Sequence, residues 1–252
     1  MQTRTLRNFM RLGCFASIAL ALRAAAAGGV APVPLPGASG PPWVETGRVH
    51  VFGIDELPWA MRQQARRALQ RESARAHEGL AYDEVDEDDW QWPDPAAPLY
   101  PSFAAMNDGR VLIRPRDIAG TELARYRFLG LVDNTARPGE PVLTIARVFE
   151  RPDGIRMKLT ENALAGNGAV VMVRELVRHQ VETWPAVFSV QRAPSGRVRS
   201  VIDWADDATD FTLMVLDDVR RPRGGAAYDE EWMFRLARSI ELAPRLRSAE
   251  QL

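Results

Sequence analysis

The residue pattern best suited to catalysis is a histidine flanked by two glutamates. Glu175, His179 and Glu182 are spaced i, i+4 and i+7. On a helix this spacing places two carboxylates and an imidazole on one face, as metal ligands or as an acid–base pair. A stripe of valines would occupy the opposite face, so the three polar side chains point to water. A solvated helix face is the preferred interpretation, and a metal-dependent site is the alternative.

The most acidic stretch of the chain is a second candidate site. Six carboxylates fall within the seven positions from 83 to 89, and tryptophans follow. A basic protein partner would relieve the repulsion between these carboxylates on binding. The run lacks the turn glycine and the ligand spacing of an EF-hand loop, so calcium binding ranks below protein docking. A solvated, self-repelling loop is the more usual interpretation of contiguous acids. The candidate partner interface is Asp83, Glu84, Asp86, Glu87, Asp88, Asp89, Trp90 and Trp92.

Other familiar catalytic patterns are missing from the sequence. It has no G-x-S-x-G elbow for a serine nucleophile and no glycine-rich phosphate loop with a lysine. A second group of acids, Asp203, Asp206, Asp207 and Asp210, falls at a predicted hairpin turn, where aspartate side chains bind main-chain amides. We therefore expect no enzymatic activity, no cofactor and no metal.

The first 27 residues have the layout of a secretory signal peptide. Arginines at positions 4, 7 and 11 precede an apolar run over residues 12–22, and alanines follow at 24–27. The apolar run is shorter than the roughly 20 residues that span a bilayer. Cleavage after Ala27 removes Cys14, the only cysteine, and leaves a cysteine-free mature chain. We expect a periplasmic protein with no stable membrane insertion, which begins with a proline-rich tether over residues 28–42.

The charge balance argues against one class of partner. The chain has 32 basic and 33 acidic residues. Cleavage removes four arginines and no acid, so the exported form carries 28 basic residues against 33 acidic ones. A nucleic-acid-binding protein needs a basic surface to neutralise phosphates. Because the exported form is acidic overall, we expect no nucleic-acid partner. The basic residues are nearly all arginine, which we attribute to a GC-rich genome.

Hydrophobic periodicity predicts an α+β fold, with antiparallel sheets and helices packed on one face. Strands come in runs, and helices interrupt them only a few times. Two parts are predicted, residues 43–108 and residues 109–252, which form two lobes with no residue-level repeat between them. Helices are predicted over residues 58–77, 168–184 and 229–240. Strands are predicted over residues 44–54, 126–132, 141–149, 155–159, 186–191, 198–204 and 211–216.

Two segments carry a resemblance to a known family. RVHVFGIDELPWAM near the start and YDEEWMFRLARSIELAPR near the end resemble periplasmic immunity proteins that neutralise lipase-type effectors of bacterial secretion systems. The resemblance covers about 30 residues. It implies a leader, two α+β lobes and a closing helix followed by a short strand, which Ser239 to Leu242 would form. It carries over no contact residues.

These observations lead to two hypotheses about function. The first is an exported, non-enzymatic protein that binds another protein, an immunity protein whose partner is a basic effector. The second is an exported, metal-dependent hydrolase that uses Glu175, His179 and Glu182. An enzyme requires these side chains to converge in a pocket, whereas an inhibitor requires an exposed acidic or aromatic surface.

Overall fold

The fold is α+β and consists mostly of sheet. A computed structural model describes residues 19–21, 49–78, 82–87, 90, 99–106, 111, 113–133, 142–164 and 170–246. The helices are α1 (Trp59–Glu78), α2 (Phe103–Met106) and α3 (Glu230–Leu242). The strands are β1 (Ala19–Ala21), β2 (Val49–Phe52), β3 (Asp83–Glu84), β4 (Arg127–Asp133), β5 (Thr144–Glu150), β6 (Arg156–Ala163), β7 (Val170–Val173), β8 (His179–Val181), β9 (Trp184–Arg192), β10 (Val198–Ala205) and β11 (Thr209–Val215).

The large sheet contains eight strands in the order β3-β9-β10-β11-β6-β5-β4, and β8 also pairs with β9. Its pairs are antiparallel except for β3, which runs parallel to β9. A bulge interrupts β4 between Phe128 and Gly130. Gly130 has φ of 147°, and a Cβ atom there would lie 2.9 Å from the Leu99 Cβ. Glycine is therefore required at this position, where the chain at Leu99 packs closely against β4.

The small sheet has the order β1-β7-β2. β2 runs parallel to β7, and β1 runs antiparallel to it. α1 packs Ala65 against a cluster that includes Ile54, Leu57 and Val173. On the other side of the sheet, Met172 packs with Ala205 of β10, which joins the two sheets through apolar contact.

α3 packs against the large sheet and closes the main core. Trp232, Met233 and Leu236 are buried in one cluster with sheet residues such as Trp204 and Phe211. The helix begins at a cap, since the Asp229 carboxylate accepts a hydrogen bond from the Trp232 N–H at 2.9 Å. Among the described residues, no helix combines the length and the apolar character that a membrane span requires.

The helix predicted over residues 168–184 is wrong. The segment forms strand β7, a turn, and strand β8. All four residues of β7 are buried, as in a strand covered on both faces. Glu182 has φ of 54° in the tight turn between β8 and β9. The valines recur every three to four residues because a strand and a turn follow one another, and not because the segment is helical. Their β-branched side chains favour the strand.

Four other predictions concern the termini and the division of the chain. β1 lies within the predicted signal peptide, and the tether over residues 28–42 lies outside the described residues. Both sheets contain strands from each side of position 108, because β2 pairs with β7 and β3 pairs with β9. The division at that position stays a prediction. The closing strand over Ser239 to Leu242 is wrong, since these residues form the last turn of α3.

Candidate partner-binding surface

The acidic segment, residues 82–90, lies along an edge of the large sheet. In β3, Asp83 is opposite Gln191 and Glu84 is opposite Arg192. The Val85 N–H donates to the Arg192 carbonyl oxygen at 3.1 Å, which extends the pairing by one residue. Part of the predicted loop is therefore an added strand. Asp88, Asp89 and Trp92 lie outside the described residues.

Arginines of the β9–β10 hairpin bind two of the carboxylates. Arg192 Nε donates to Glu84 Oε1 at 3.0 Å. Arg197 forms an ion pair with Glu87, which also accepts hydrogen bonds from the Ser195 N–H at 3.3 Å and from the Ser195 hydroxyl at 3.2 Å. Desolvation acts to raise the pKa of Glu87, but the hydrogen bonds from Arg197 and Ser195 outweigh it and hold that pKa below its usual value. The segment is thus fixed to the sheet by charge-assisted hydrogen bonds.

Asp86 has a different environment from these two glutamates. Its side chain is exposed, and it lies between Val85, which is buried, and Glu87, which is bound to Arg197. The anchored neighbours hold the main chain on either side, so Asp86 projects from a fixed position on the sheet edge.

Trp90 anchors the segment from within. Only 8% of it is exposed, and it packs with Val85 and Ala193. The guanidinium groups of Arg197 and Arg199 lie 4.9 and 4.6 Å from its ring centre. Cation–π contacts of this kind contribute about 0.5–2 kcal/mol. Trp90 therefore holds the acidic segment in place from a buried position. The sequence had placed it in the partner interface.

Tyr82 occupies an equivalent position at the other end of the segment. The guanidinium groups of Arg192 and Arg220 lie 4.9 and 5.3 Å from its ring centre. Sequence reasoning missed the arginines at positions 192, 197, 199 and 220. The available signal was the clustering of three of them around one predicted hairpin, which was attributed to genome composition.

The structure does not bring the proposed catalytic residues together. Glu175 accepts a hydrogen bond from the Ile54 N–H at 3.0 Å and so links the turn after β7 to the end of β2. His179 stacks on Phe234 of α3 with a centroid separation of 4.8 Å. Glu182 is exposed in the β8–β9 turn. Within the described part of the chain, no three histidine, cysteine, aspartate or glutamate residues are placed to hold a metal.

The second acidic group includes a true turn residue. Asp206 Oδ1 accepts hydrogen bonds from the N–H groups of Ala208 and Thr209, both at 2.8 Å. Its other carboxylate oxygen accepts from Arg116 at 2.6 Å and pairs with Arg245. The predicted turn role is confirmed for this residue, which also ties the turn to two distant segments. Asp203 and Asp210 lie within β10 and β11, respectively.

Arg116 also connects the end of α3 to the sheet. It pairs with Glu241 at 2.7 Å, and Glu241 in turn accepts a hydrogen bond from the Trp204 indole N–H at 3.0 Å. Burial raises the pKa of Glu241 above its usual value, although the hydrogen bond from Trp204 and the charge of Arg116 act in the opposite direction. This network links the C-terminal end of α3 to the large sheet.

A cleft of about 430 Å³ lies between β8 and α3. Glu230 and Glu231 stand at one end, in the first turn of the helix, and Arg238 stands farther along. The remaining lining residues are His179, Gln180 and Phe234. The cleft therefore has an aromatic wall, with acidic and basic groups spread along the helix.

No protein-family model, curated protein or solved structure matches this chain.

Proposed function

We propose that the protein is an exported, non-enzymatic binding protein, and more narrowly a periplasmic immunity protein that neutralises a secreted antibacterial effector. The observation that carries the proposal is the fixed attachment of the acidic segment to the large sheet. Arg192 and Arg197 bind its glutamates, and Trp90 anchors it below the surface. A segment ordered before binding loses less conformational entropy when a partner docks, so more of the attraction from its carboxylates remains as binding free energy.

Several of the segment's charges are already balanced within the protein. Arginines pair with Glu84 and Glu87, so these residues act mainly as anchors. The carboxylate of Asp86 is exposed. We propose that Asp86, with Asp88 and Asp89, attracts a basic partner and mainly raises the association rate.

We infer that the helices cover one face of the large sheet, and that the small sheet with α1 forms a second lobe. Trp59 at the start of α1 is 75% exposed, which gives that lobe an aromatic surface of its own.

Neutralising Asp86 and Asp88 tests the role of the acidic segment. The variant Asp86→Asn/Asp88→Asn keeps both glutamate anchors, so we expect an unchanged melting temperature. The association rate with the effector that the protein neutralises should fall roughly 3- to 10-fold at low salt, and its dependence on salt should weaken. Stopped-flow measurements at low and high ionic strength provide the rates.

The matched control removes the same charge elsewhere. Asp55→Asn/Asp207→Asn changes two exposed carboxylates outside the acidic segment. If both double variants slow association equally, the slower rate results from the loss of net negative charge, and the acidic segment is not the interface. Unchanged rates in the first variant would also contradict the proposal.

Export itself has a direct test. We expect the mature protein to begin near Gly28 and to be recovered from the periplasm, because the leader has the charged, apolar and small-residue order that signal peptidase substrates share. N-terminal sequencing of the exported protein locates the cleavage site. Soluble protein that retains residues 1–20 would contradict this prediction.

A further inference from the structure

We propose that the cleft between β8 and α3 binds the C-terminal residue of a partner chain when that residue is arginine or lysine. This inference rests on the proposed function, and it names a site on this protein and the chemistry of the segment that enters it. Three features of the cleft carry it: charged side chains of both signs that bind no other group of the protein, an aromatic wall between them, and the distance that separates them along α3.

The charged side chains of the cleft are available to a ligand. Glu230 and Glu231 stand at one end of the cleft, and Arg238 stands at the other. Within the described part of the chain, none of the three side chains forms an ion pair or a hydrogen bond. The neighbouring Asp229 differs, because its carboxylate accepts the Trp232 N–H that caps α3. A ligand with a cation at one end and an anion at the other can therefore bind here without breaking an internal contact.

An aromatic wall lies between the two charged ends. The ring of Phe234 stacks on His179 with a centroid separation of 4.8 Å, and both side chains line the cleft. Phe188 contacts both rings, at 5.9 Å from His179 and 5.7 Å from Phe234, and so fixes the wall in place. Such a wall covers the methylene stem of a basic side chain and attracts its cation. The ligand that fits the cleft thus has an apolar stem between its two charges.

The spacing of the charges matches the length of one residue. Glu231, Phe234 and Arg238 are spaced i, i+3 and i+7 and lie along one face of α3. The helical rise separates the Cα atoms of Glu231 and Arg238 by about 10 Å. An extended arginine holds its carboxylate and guanidinium carbons roughly 7 Å apart, and a charge-assisted hydrogen bond adds about 3 Å at each end. One basic residue therefore reaches both ends of the cleft.

The anion at this distance from a basic side chain is the α-carboxylate of the same residue. That carboxylate is free only at the C-terminus of a chain, because every other α-carboxyl group is part of a peptide bond. Arg238 can bind it through two parallel hydrogen bonds, while Glu230 and Glu231 bind the cation. Gln180 lines the cleft and is exposed, so its amide can bind the peptide group that precedes the terminal residue.

Short peptides test the inference without knowledge of the partner. The probe is acetyl-Ala-Ala-Arg with a free carboxylate, titrated up to about 10 mM into the ¹⁵N-labelled exported protein. We expect saturable chemical-shift changes at the amides of Gln180, Phe234 and Arg238. The C-terminal amide of this peptide should bind at least roughly 5-fold more weakly, because it lacks the anion. A peptide with citrulline, which has the shape of arginine without its charge, should lose a similar factor.

Two variants assign each charge of the ligand to one end of the cleft. In Arg238→Gln, the free-acid and amide peptides should bind with equal affinity, and the preference for arginine over citrulline should remain. In Glu230→Gln/Glu231→Gln, the preference for the free carboxylate should remain, and the preference for arginine should be lost. The matched control Arg235→Gln changes an exposed arginine of α3 outside the cleft, and it should bind all three peptides as the wild type does.

Three results would overturn the inference. The first is the absence of saturable shifts at the cleft residues up to the highest concentration. The second is equal affinity of the wild type for the free-acid, amide and citrulline peptides. The third is a preference for the free carboxylate that survives Arg238→Gln, since the carboxylate would then bind at another place.

The outcome is distinguishable from that of the proposed function. If Asp86→Asn/Asp88→Asn slows association with the effector while the peptides do not bind the cleft, the proposed function stands and this inference fails. If the peptides bind as expected while the acidic segment has no influence on the effector, the cleft is a binding site and the acidic segment is not the interface.

Discussion

Replacing Arg147 by methionine will lower the free energy of unfolding by about 3–5 kcal/mol. Arg147 is 2% exposed and pairs in the sheet interior with Glu161, which is fully buried. Arg147 also donates to the Arg116 carbonyl oxygen at 2.9 Å. Methionine fills a similar volume but leaves the Glu161 carboxylate without its countercharge in a site that water does not reach. Urea denaturation followed by circular dichroism measures the loss.

Two further variants isolate the cause of this loss. Arg147→Met/Glu161→Gln removes the charge of both partners and keeps an oxygen for the Arg116 N–H, which donates to Glu161 Oε1 at 2.8 Å, so most of the stability should return. Arg127→Met breaks a pair between Arg127 of β4 and Glu150 of the neighbouring strand β5, but Arg127 is 67% exposed, and we expect a change below about 1 kcal/mol. If Arg147→Met costs no more than Arg127→Met, the burial argument is wrong.

Local periodicity identified most of the elements correctly. α1 was predicted over residues 58–77 and α3 over residues 229–240, and both helices are present within two residues of those limits. Both have strong local signals, since Pro58 precedes α1 and Asp229 caps α3. The strands from β9 to β11 alternate clearly or are bounded by turn residues. The failure over residues 168–184 arose because a short buried strand has no alternation to distinguish it from a helix.

The candidate surface was predictable only in part. The sequence displays the density of acids over residues 83–89, but the arginines that bind Glu84 and Glu87 are more than 100 positions away. Their contact depends on β3 joining β9 in parallel, a long-range pairing that no local pattern specifies. Burial of Trp90 likewise requires knowledge of which side of the segment meets the sheet.

Because of Lys158, the only lysine of the chain, the free energy of unfolding will increase with pH above about pH 8. It lies on β6 between Val148 and Met214 and is 8% exposed. Burial lowers its pKa to about 8, and the charge of Arg199 acts in the same direction. The unfolded chain therefore binds more protons than the native protein between the folded pKa and the ordinary value of 10.5. The free energy of unfolding must increase with pH across that window.

The expected rise is about 2 kcal/mol between about pH 8 and pH 9.5, at 1.36 kcal/mol per unit of pH for one proton. Urea denaturation at several pH values measures it. Burial also raises the pKa of Tyr126 well above its ordinary value, which opposes the rise only above about pH 10, so the measurement stops below that pH. Lys158→Met should abolish the slope, whereas Arg156→Met on the same strand, where the side chain is largely exposed, should retain it. Parallel slopes in the wild type and Lys158→Met would show that Lys158 is protonated in the folded state throughout this range, and that the polar groups around it, rather than its deprotonation, make its burial tolerable.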